Sequence, residues 1–348
     1  MRNIFFFLAL ILSVSASCQT AEVNDLYVGQ NLNTDQVLTK IALGSCNRQD
    51  KPQDMWQWIV AENPQLWIWM GDNIYGDTED MNVMIRKYRK QKSNADYQKL
   101  RAKAGVIGIW DDHDYGVNDG DKNFPKKDET KALMLDFLDV PADAEVRSRP
   151  GAYQSYTFGP EGKQVKIILL DGRYFRDELI KDGAKRARYI PNEKGDILGK
   201  AQWKWLKGEL KNSEAQIHLI ACGIQFIPEE QVYEKWANFP AARKKLFKLL
   251  EKTQPANAVL LSGDRHISEL SKIELDKLDY PVYELTSSGL THTWSLGGTE
   301  PNKYREGDLI VALNYGILSI DWSGAQPQLS VEVKGLENKT LLEQKLKW

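Results

Sequence analysis

Residues 66–77 read LWIWMGDNIYGD: five apolar residues, a glycine, then a polar block with two aspartates, an asparagine and a tyrosine. An apolar run of this length closed by Gly reads as a buried strand. Polar residues at its end sit where open α/β sheets build their sites, outside the carboxyl ends of strands. The layout recurs along the chain. VIGIW runs into DDHDYG at 111–116, IILL into DGRYFRD at 171–177, and AVLLSG into DRHISE at 264–269. Carboxylate-rich ends that share one site repel one another strongly unless cations lie between them. The pattern therefore predicts a multi-metal enzyme.

Working outward from these blocks, further strands are expected at 40–46, 153–158 and 216–222, besides those that lead into the polar blocks. Apolar residues at helical spacing predict helices at 53–62, 79–104, 130–139, 200–212 and 238–254, the last with Asn238 as its cap. From about 270 to 334 the segments SKIEL, VYELTSS, GILSIDW and LSVEVKG alternate, as antiparallel strands do, and 336–348 is expected to close as a short helix. Residues 115–130 and 172–198 read as long polar loops, a length that usually serves function. The expected fold is one α/β domain of two packed mixed β-sheets flanked by helices.

A formal net charge of −2 over 348 residues argues against a nucleic-acid-binding surface. Trp56, Trp58, Trp67, Trp69, Trp203 and Trp205 come as i, i+2 pairs and are read as core or rim packing. The first residues, Arg2 followed by IFFFLALILSV and Ser15-Ala16-Ser17-Cys18, have the layout of a signal peptide. Residues 1–17 are assigned to that leader, 18–38 to a tether and 39–348 to the folded domain. Cys18 after small residues resembles a bacterial lipobox, which makes the protein an exported periplasmic or cell-surface lipoprotein. Ordinary secretion is the competing reading. Cys46 and Cys222 each follow an apolar run, and disulfide, buried free thiol and metal ligand are all open readings for them.

Asp72, at a strand end, is suited to bridge two cations, and Tyr75 to offer a phenolate to a hard ion; the alternative for this block is ordinary turn chemistry. In Asp111-Asp112-His113-Asp114, a cap or turn would use one Asp, not three. The expected division gives one Asp to a metal, His113 to proton transfer and Asp114 to orienting the imidazole. Asp264 and His266, two apart, share one face of extended backbone and suit a metal of middling hardness. Arg265 points the other way, toward an ion pair with Glu269. Arg173 and Arg176 lie beside carboxylates and read either as phosphate ligands or as structural pairs. Ser287-Ser288-Gly289 reads as a loop lining the site, His292 is the weakest candidate of the set, and His218 is read as packing or surface.

Taken together, GSC, GDNIY, WDDHD, DGRYFR, SGDRH and TSSGLTH, in this order, resemble the alkaline phosphatase D (PhoD-like) family of metallophosphatases, within the calcineurin-like superfamily. The resemblance runs from about residue 40 to the C-terminal strands. It implies a metallophosphatase-like α/β sandwich in which Cys46 and Tyr75 are ligands of ferric iron and Asp72 bridges two metals. Asp112 is implied as a metal ligand, His113 as the catalytic histidine with Asp114 as its companion, and Asp264 and His266 as ligands on the calcium side and nearer the iron. Arg173 and Asn118 are implied as phosphate contacts. Iron with calcium is the implied metal pair, zinc and manganese being used elsewhere in the superfamily. The expected activity is phosphomonoester hydrolysis by a metal-activated hydroxide, by a monomer. A phosphodiesterase or phospholipase-type hydrolase on the same core is the alternative, and a non-catalytic surface lipoprotein the third reading. The additional N-terminal β domain of longer family members is expected to be missing here.

Overall fold

A computed structural model describes residues 26–30, 32–184, 188–294 and 300–348. The leader and Cys18 lie outside the described residues. In chain order the strands among them are β1 (Lys40–Gly44), β2 (Leu66–Met70), β3 (Gly105–Ile109), β4 (Gln154–Phe158), β5 (Val165–Leu169), β6 (Ile180–Lys181), β7 (Tyr189–Ile190), β8 (Ile217–Ala221), β9 (Ala258–Ser262), β10 (Ser268–Ile273), β11 (Val282–Ser287), β12 (Arg305–Ile310), β13 (Tyr315–Asp321), β14 (Gln328–Lys334) and β15 (Thr340–Lys345). The first sheet has the order β15-β14-β13-β1-β2-β3 and the second β12-β10-β11-β9-β8-β5-β4, while β6 and β7 pair separately. Both large sheets are mixed. β1, β2 and β3 run parallel, and so do β5, β8, β9 and β11. Antiparallel strands complete the edges.

The parallel strands are apolar throughout because both of their faces are covered. All five side chains of β2 are buried. On one face the two sheets meet in a shared core, where Leu43 and Leu318 join Leu261 and Leu285. Behind the second sheet, Ile168, Ile220 and Leu260 pack with Trp203, Leu206, Leu246 and Leu250 of helices Gly199–Lys211 and Pro240–Thr253. Behind the first, Trp56, Trp67 and Trp69 pack edge to face with ring centroids 5.0–5.4 Å apart. These tryptophans are structural, and truncating one to Ala would cost about 3–5 kcal/mol.

The structure differs from the sequence expectations at four places outside the site. The expected helix over 336–348 is instead β15, paired along β14, so its propensity yields to an open sheet edge. Asn238 does not cap the following helix. Its Oδ1 accepts the Lys235 N–H across a single 3₁₀ turn, and Pro240 begins the helix, where its missing N–H costs nothing. The long helix expected at 79–104 breaks at Ser93, and Asn94 caps its second part by accepting the N–H groups of Asp96 and Tyr97. The tether expected at 18–38 is laid onto the domain from Leu26: the N–H groups of Val28 and Gly29 reach Asp139 Oδ1, and Gln30 bonds the backbone of Val106.

Candidate metal centre

Every parallel strand of the first sheet, and β9 of the second, delivers a candidate ligand just past its carboxyl end: Cys46 after β1, Asp72 after β2, Asp111 and Asp112 after β3, Asp264 and His266 after β9. Cys46, Asp72, Asp264 and His266 all hold left-handed backbone, with φ of 58°, 49°, 64° and 54°. Such strain in non-glycine residues persists only where the surroundings over-determine it, and it clusters at functional sites. The surroundings here are backbone ties between strand ends. Asn47 N donates to Asp72 O (2.9 Å), Leu290 N to Ser45 O (3.2 Å) and Ser288 N to Ile267 O (3.1 Å).

These ends bring three sets of ligand atoms together, each within 4.8 Å: Cys46 with Asp72 and His266, Asp72 with Asp112 and His113, and Asp111 with Asp112 and Asp264. Asp72 and Asp112 each belong to two neighbouring sets, which is the arrangement adjacent cations need from bridging carboxylates. Cys46 Sγ lies 3.3 Å from Asp72 Oδ2 and 2.9 Å from Ser288 Oγ. Ser288 Oγ in turn accepts the His266 N–H (2.7 Å), so one hydroxyl joins the ends of β1, β9 and β11. Tyr75 OH stands 2.9 Å from His266 Nε2 and 3.0 Å from His292 Nε2.

The donor set fits metal ions. Asp111 Oδ2 is buried with no hydrogen-bond partner, a costly state that a cation would relieve. Burial, and then the neighbouring acids, push Asp111 well above the usual carboxylate range. Asp72 is pushed well above it too, mainly by burial, while Asp264 is raised to about 7 by burial and Asp112. Burial, and then the neighbouring Asp72, also push the Cys46 thiol well above its ordinary value. Negative charge settles on Asp112, held at about 2: burial is outweighed there by His113, Arg173 and the Asp119 N–H. The acids thus compete for protons that a metal would displace.

His113 meets this cluster from one side. Its N–H donates to Asp112 Oδ1 (2.9 Å), and its ring stacks on Tyr75 with centroids 4.1 Å apart. Burial alone would lower its pKa, but Asp72, Asp112 and Asp77 raise it to about 10. The carboxylate on its ring nitrogen is Asp77, with Oδ1 2.6 Å from Nδ1. Asp114, expected in that place, instead accepts the N–H groups of Asp111 (2.7 Å), Asp72 (3.2 Å) and Asn73 (3.2 Å). It fixes the two strand ends to each other rather than orienting the imidazole, because its position in a short helix turns it back toward the chain.

Arg173 is a second correction. It is fully buried, its Nη2 2.5 Å from Asp111 Oδ1 and its Nη1 2.6 Å from Glu234 Oε2. A guanidinium so enclosed does not reach a phosphate. Arg176 binds the other Glu234 oxygen at 2.9 Å, the structural reading of that residue. Asn118 is exposed at the rim of a cavity of about 660 Å³, where its Nδ2 bonds Asp119 Oδ2 (2.7 Å). It does not touch the cluster, although the Asp119 N–H beside it donates to Asp112 Oδ2 (2.7 Å). Arg265 pairs with Glu300 (2.6 Å), and Glu269 with Arg305 (2.7 Å), in place of the expected Arg265–Glu269 pair. Cys46 and Cys222 are both free. His218 is a satisfied buried histidine between Ala256 O and Ser213 Oγ. His292, expected to be marginal, stands with its ring 4.3 Å from that of His266. Ser288 lines the site, as its loop was expected to. Sequence reasoning gave no individual role to Asp77 or Asp111, and it missed Glu234. The first two sat inside quoted blocks, but Glu234 lies in an unpatterned stretch with no signal.

The PhoD-like phosphatase family model matches residues 41–313. Alkaline phosphatase D of Bacillus subtilis (strain 168) is 24% identical over 254 residues, which cover 66% of this chain and 42% of that protein. The chain therefore spans less than half the length of that relative. Among solved structures, PhoD superposes with a TM-score of 0.70 at 16% identity, covering 90% of this chain and 70% of that one. A dimetal phosphatase from Danio rerio superposes at 0.57 with 10% identity, covering 90% and 100%. GAP50, the anchor in the inner membrane complex of Plasmodium, does so at 0.56 with 12% identity, covering 90% and 89%. At such identities the structural likenesses show a shared fold. The family match, which takes in the ligand-bearing ends of β1, β2, β3 and β9, shows more: this chain belongs to the PhoD-like phosphatase family.

Proposed function

We propose that the protein is an exported, metal-dependent phosphoesterase, an alkaline phosphatase D-type phosphomonoesterase. The observation that carries this reading is the pair of shared carboxylates, Asp72 and Asp112, between ligand sets that His113 flanks. Cys46, Tyr75 and His266, with Asp72, would hold the position of mixed thiolate, phenolate, imidazole and carboxylate donors, which suits iron. Asp112 and Asp264, joined by Asp111, would offer an all-oxygen position suited to calcium, and Asp72, shared between neighbouring ligand sets, would serve both positions. Zinc or manganese fits the same ligands less selectively. When bound, the metals neutralise phosphate oxygens and lower the pKa of a coordinated water. The protein's own part is to hold the proton donor. Asp77 keeps His113 protonated and oriented, so that the imidazolium can give its proton to the leaving alkoxide. Asp114 holds the ends of β2 and β3 in register for that geometry. The leader and the Cys18 lipobox support export and a lipid anchor on Cys18.

The test joins metal analysis to turnover. Protein purified without chelating resin should carry iron and calcium and cleave p-nitrophenyl phosphate faster than its bis ester. The reverse preference would favour a phosphodiesterase. His113→Ala should lower kcat about 10²- to 10⁴-fold with metal content unchanged. Equal loss of metal and turnover would move His113 into the ligand set, and full metal loading without turnover on any ester would refute the enzyme.

A further inference from the structure

Arg173 is enclosed and paired with Asp111 and Glu234, which leaves the substrate's outer oxygens without that arginine. We propose that Arg48 is the cation that binds the non-reacting oxygens of a dianionic phosphate monoester; this rests on the phosphoesterase reading above. Arginines around the cluster are mostly committed to acids: Arg173 to Asp111 and Glu234, Arg176 to Glu234, Arg265 to Glu300, Arg188 to Asp119. Arg48 is exposed and forms no ion pair among the described residues. Its guanidinium carbon lies 4.4 Å from the centroid of the Tyr75 ring, the same ring on which His113 stacks at 4.1 Å. The proton donor and the free cation therefore rest on one phenol, whose hydroxyl is 2.9 Å from His266 Nε2.

The backbone of Arg48 is fixed to the centre as well. Its N–H donates to Thr291 Oγ1 (2.8 Å), and that hydroxyl donates to Cys46 O (3.1 Å). Arg48 sits two residues beyond Cys46, so the loop that positions the thiol also positions the guanidinium. An aromatic face beneath a guanidinium holds its plane while leaving its N–H edge to bind an anion. That planar fork matches two phosphate oxygens at once, which a lysine does not. A monoester dianion has two such oxygens to spare when a third faces the metals, whereas a diester has fewer and carries one charge.

Arg48→Gln and Arg48→Lys test this. For Arg48→Gln, KM for p-nitrophenyl phosphate should rise about 10- to 100-fold, as loss of a charged hydrogen bond implies. Its kcat should stay within a few-fold, and iron and calcium content should be unchanged. The bis ester should lose less, and Arg48→Lys should recover only part of the loss. Calorimetric binding of inorganic phosphate to the metal-loaded protein reads the same contact without turnover. Weakening there supports the proposal even if no ester is hydrolysed, so it fails separately from the hydrolase reading. Unchanged phosphate affinity in Arg48→Gln overturns it, and so does an equal rise in KM for both esters or a parallel loss of metal.

Discussion

Glu234→Gln isolates the buried ion network under the metal centre. Glu234 has a side-chain exposure of 1%, and the two guanidinium groups it binds have 0%. The substitution keeps volume and removes charge. Arg173 would retain Asp111 at 2.5 Å. Arg176 would be left with carbonyl partners only, those of Asp177, Asp119 and Gly120. Removing one member of a buried ion pair costs about 3–5 kcal/mol, because the remaining charge stays desolvated. Since one of the two guanidiniums keeps a carboxylate, the lower end applies, about 3 kcal/mol, a large part of a typical stability of 5–15 kcal/mol. The assay is urea unfolding of the metal-free protein, with the midpoint read at unchanged slope. A volume-matched apolar pair, Glu234→Leu with Arg176→Met, should lose less than Glu234→Gln, because it leaves Arg173 with Asp111 and buries no unpaired guanidinium on the Arg176 side. A loss below about 1 kcal/mol for Glu234→Gln would refute the view that this network is held by charge pairing.

Asp77→Asn should lower kcat roughly 10- to 100-fold, as loss of an outer partner of a functional histidine usually does, with metal content unchanged; a change confined to KM would refute an orienting role. Glu284 offers a pH test away from the metals. Burial raises it to about 7 from 4.5, against the opposing pull of the bonds it accepts from Ser262 and from the N–H groups of Phe226 and Ile227. Between those values the folded state holds the proton more tightly than the unfolded one, so stability falls as pH rises through that window and levels off above it. At 1.36 kcal/mol per pKa unit the fall is about 3 kcal/mol. Glu284→Gln should remove it, shown by the stability difference from wild type shifting between pH 4.5 and 8. A constant difference would refute the coupling.

How much of this was legible follows from the range of each interaction. The strand runs and the polar blocks after them are local, and periodicity with glycine punctuation placed β1, β2, β3, β5, β8 and β9 close to where they lie. Asp72, Tyr75, Asp112, Asp264 and His266 were legible as metal-site candidates at strand ends for the same reason, whereas Cys46 was left open by its residues and drew its metal role from the resemblance. Partner choice was not. Asp77, the true partner of His113, is 36 positions away in sequence and 2.6 Å away in space, whereas Asp114 is adjacent in sequence and turned elsewhere. The arginines failed similarly. Arg173 lies inside a chemistry-rich block, yet Glu234, 61 positions on, claims it. Arg48 drew no notice because a single arginine in a polar loop has no periodic or motif signal.

The ligands come from both sheets: Cys46, Asp72 and Asp112 from the first, Asp264 and His266 from the second. The centre therefore exists only when the sheets are docked, and the motif glycines show how tightly they dock. Gly71 holds φ of 89°, and a Cβ on it would fall 2.4 Å from Asp111 Cβ. Gly263, at the end of β9, would place one 2.4 Å from Met70 O of β2, across the seam between sheets. Both distances lie well inside contact, so the glycine before each aspartate is what lets the carboxylates converge. That convergence opposes folding through mutual repulsion, and bound cations reverse its sign. Metal affinity and sheet docking are thus one coupled equilibrium. A substitution at either glycine should loosen both together, whereas one at Asp77 or Arg48, outside the seam, should leave them intact and act on turnover or substrate binding alone.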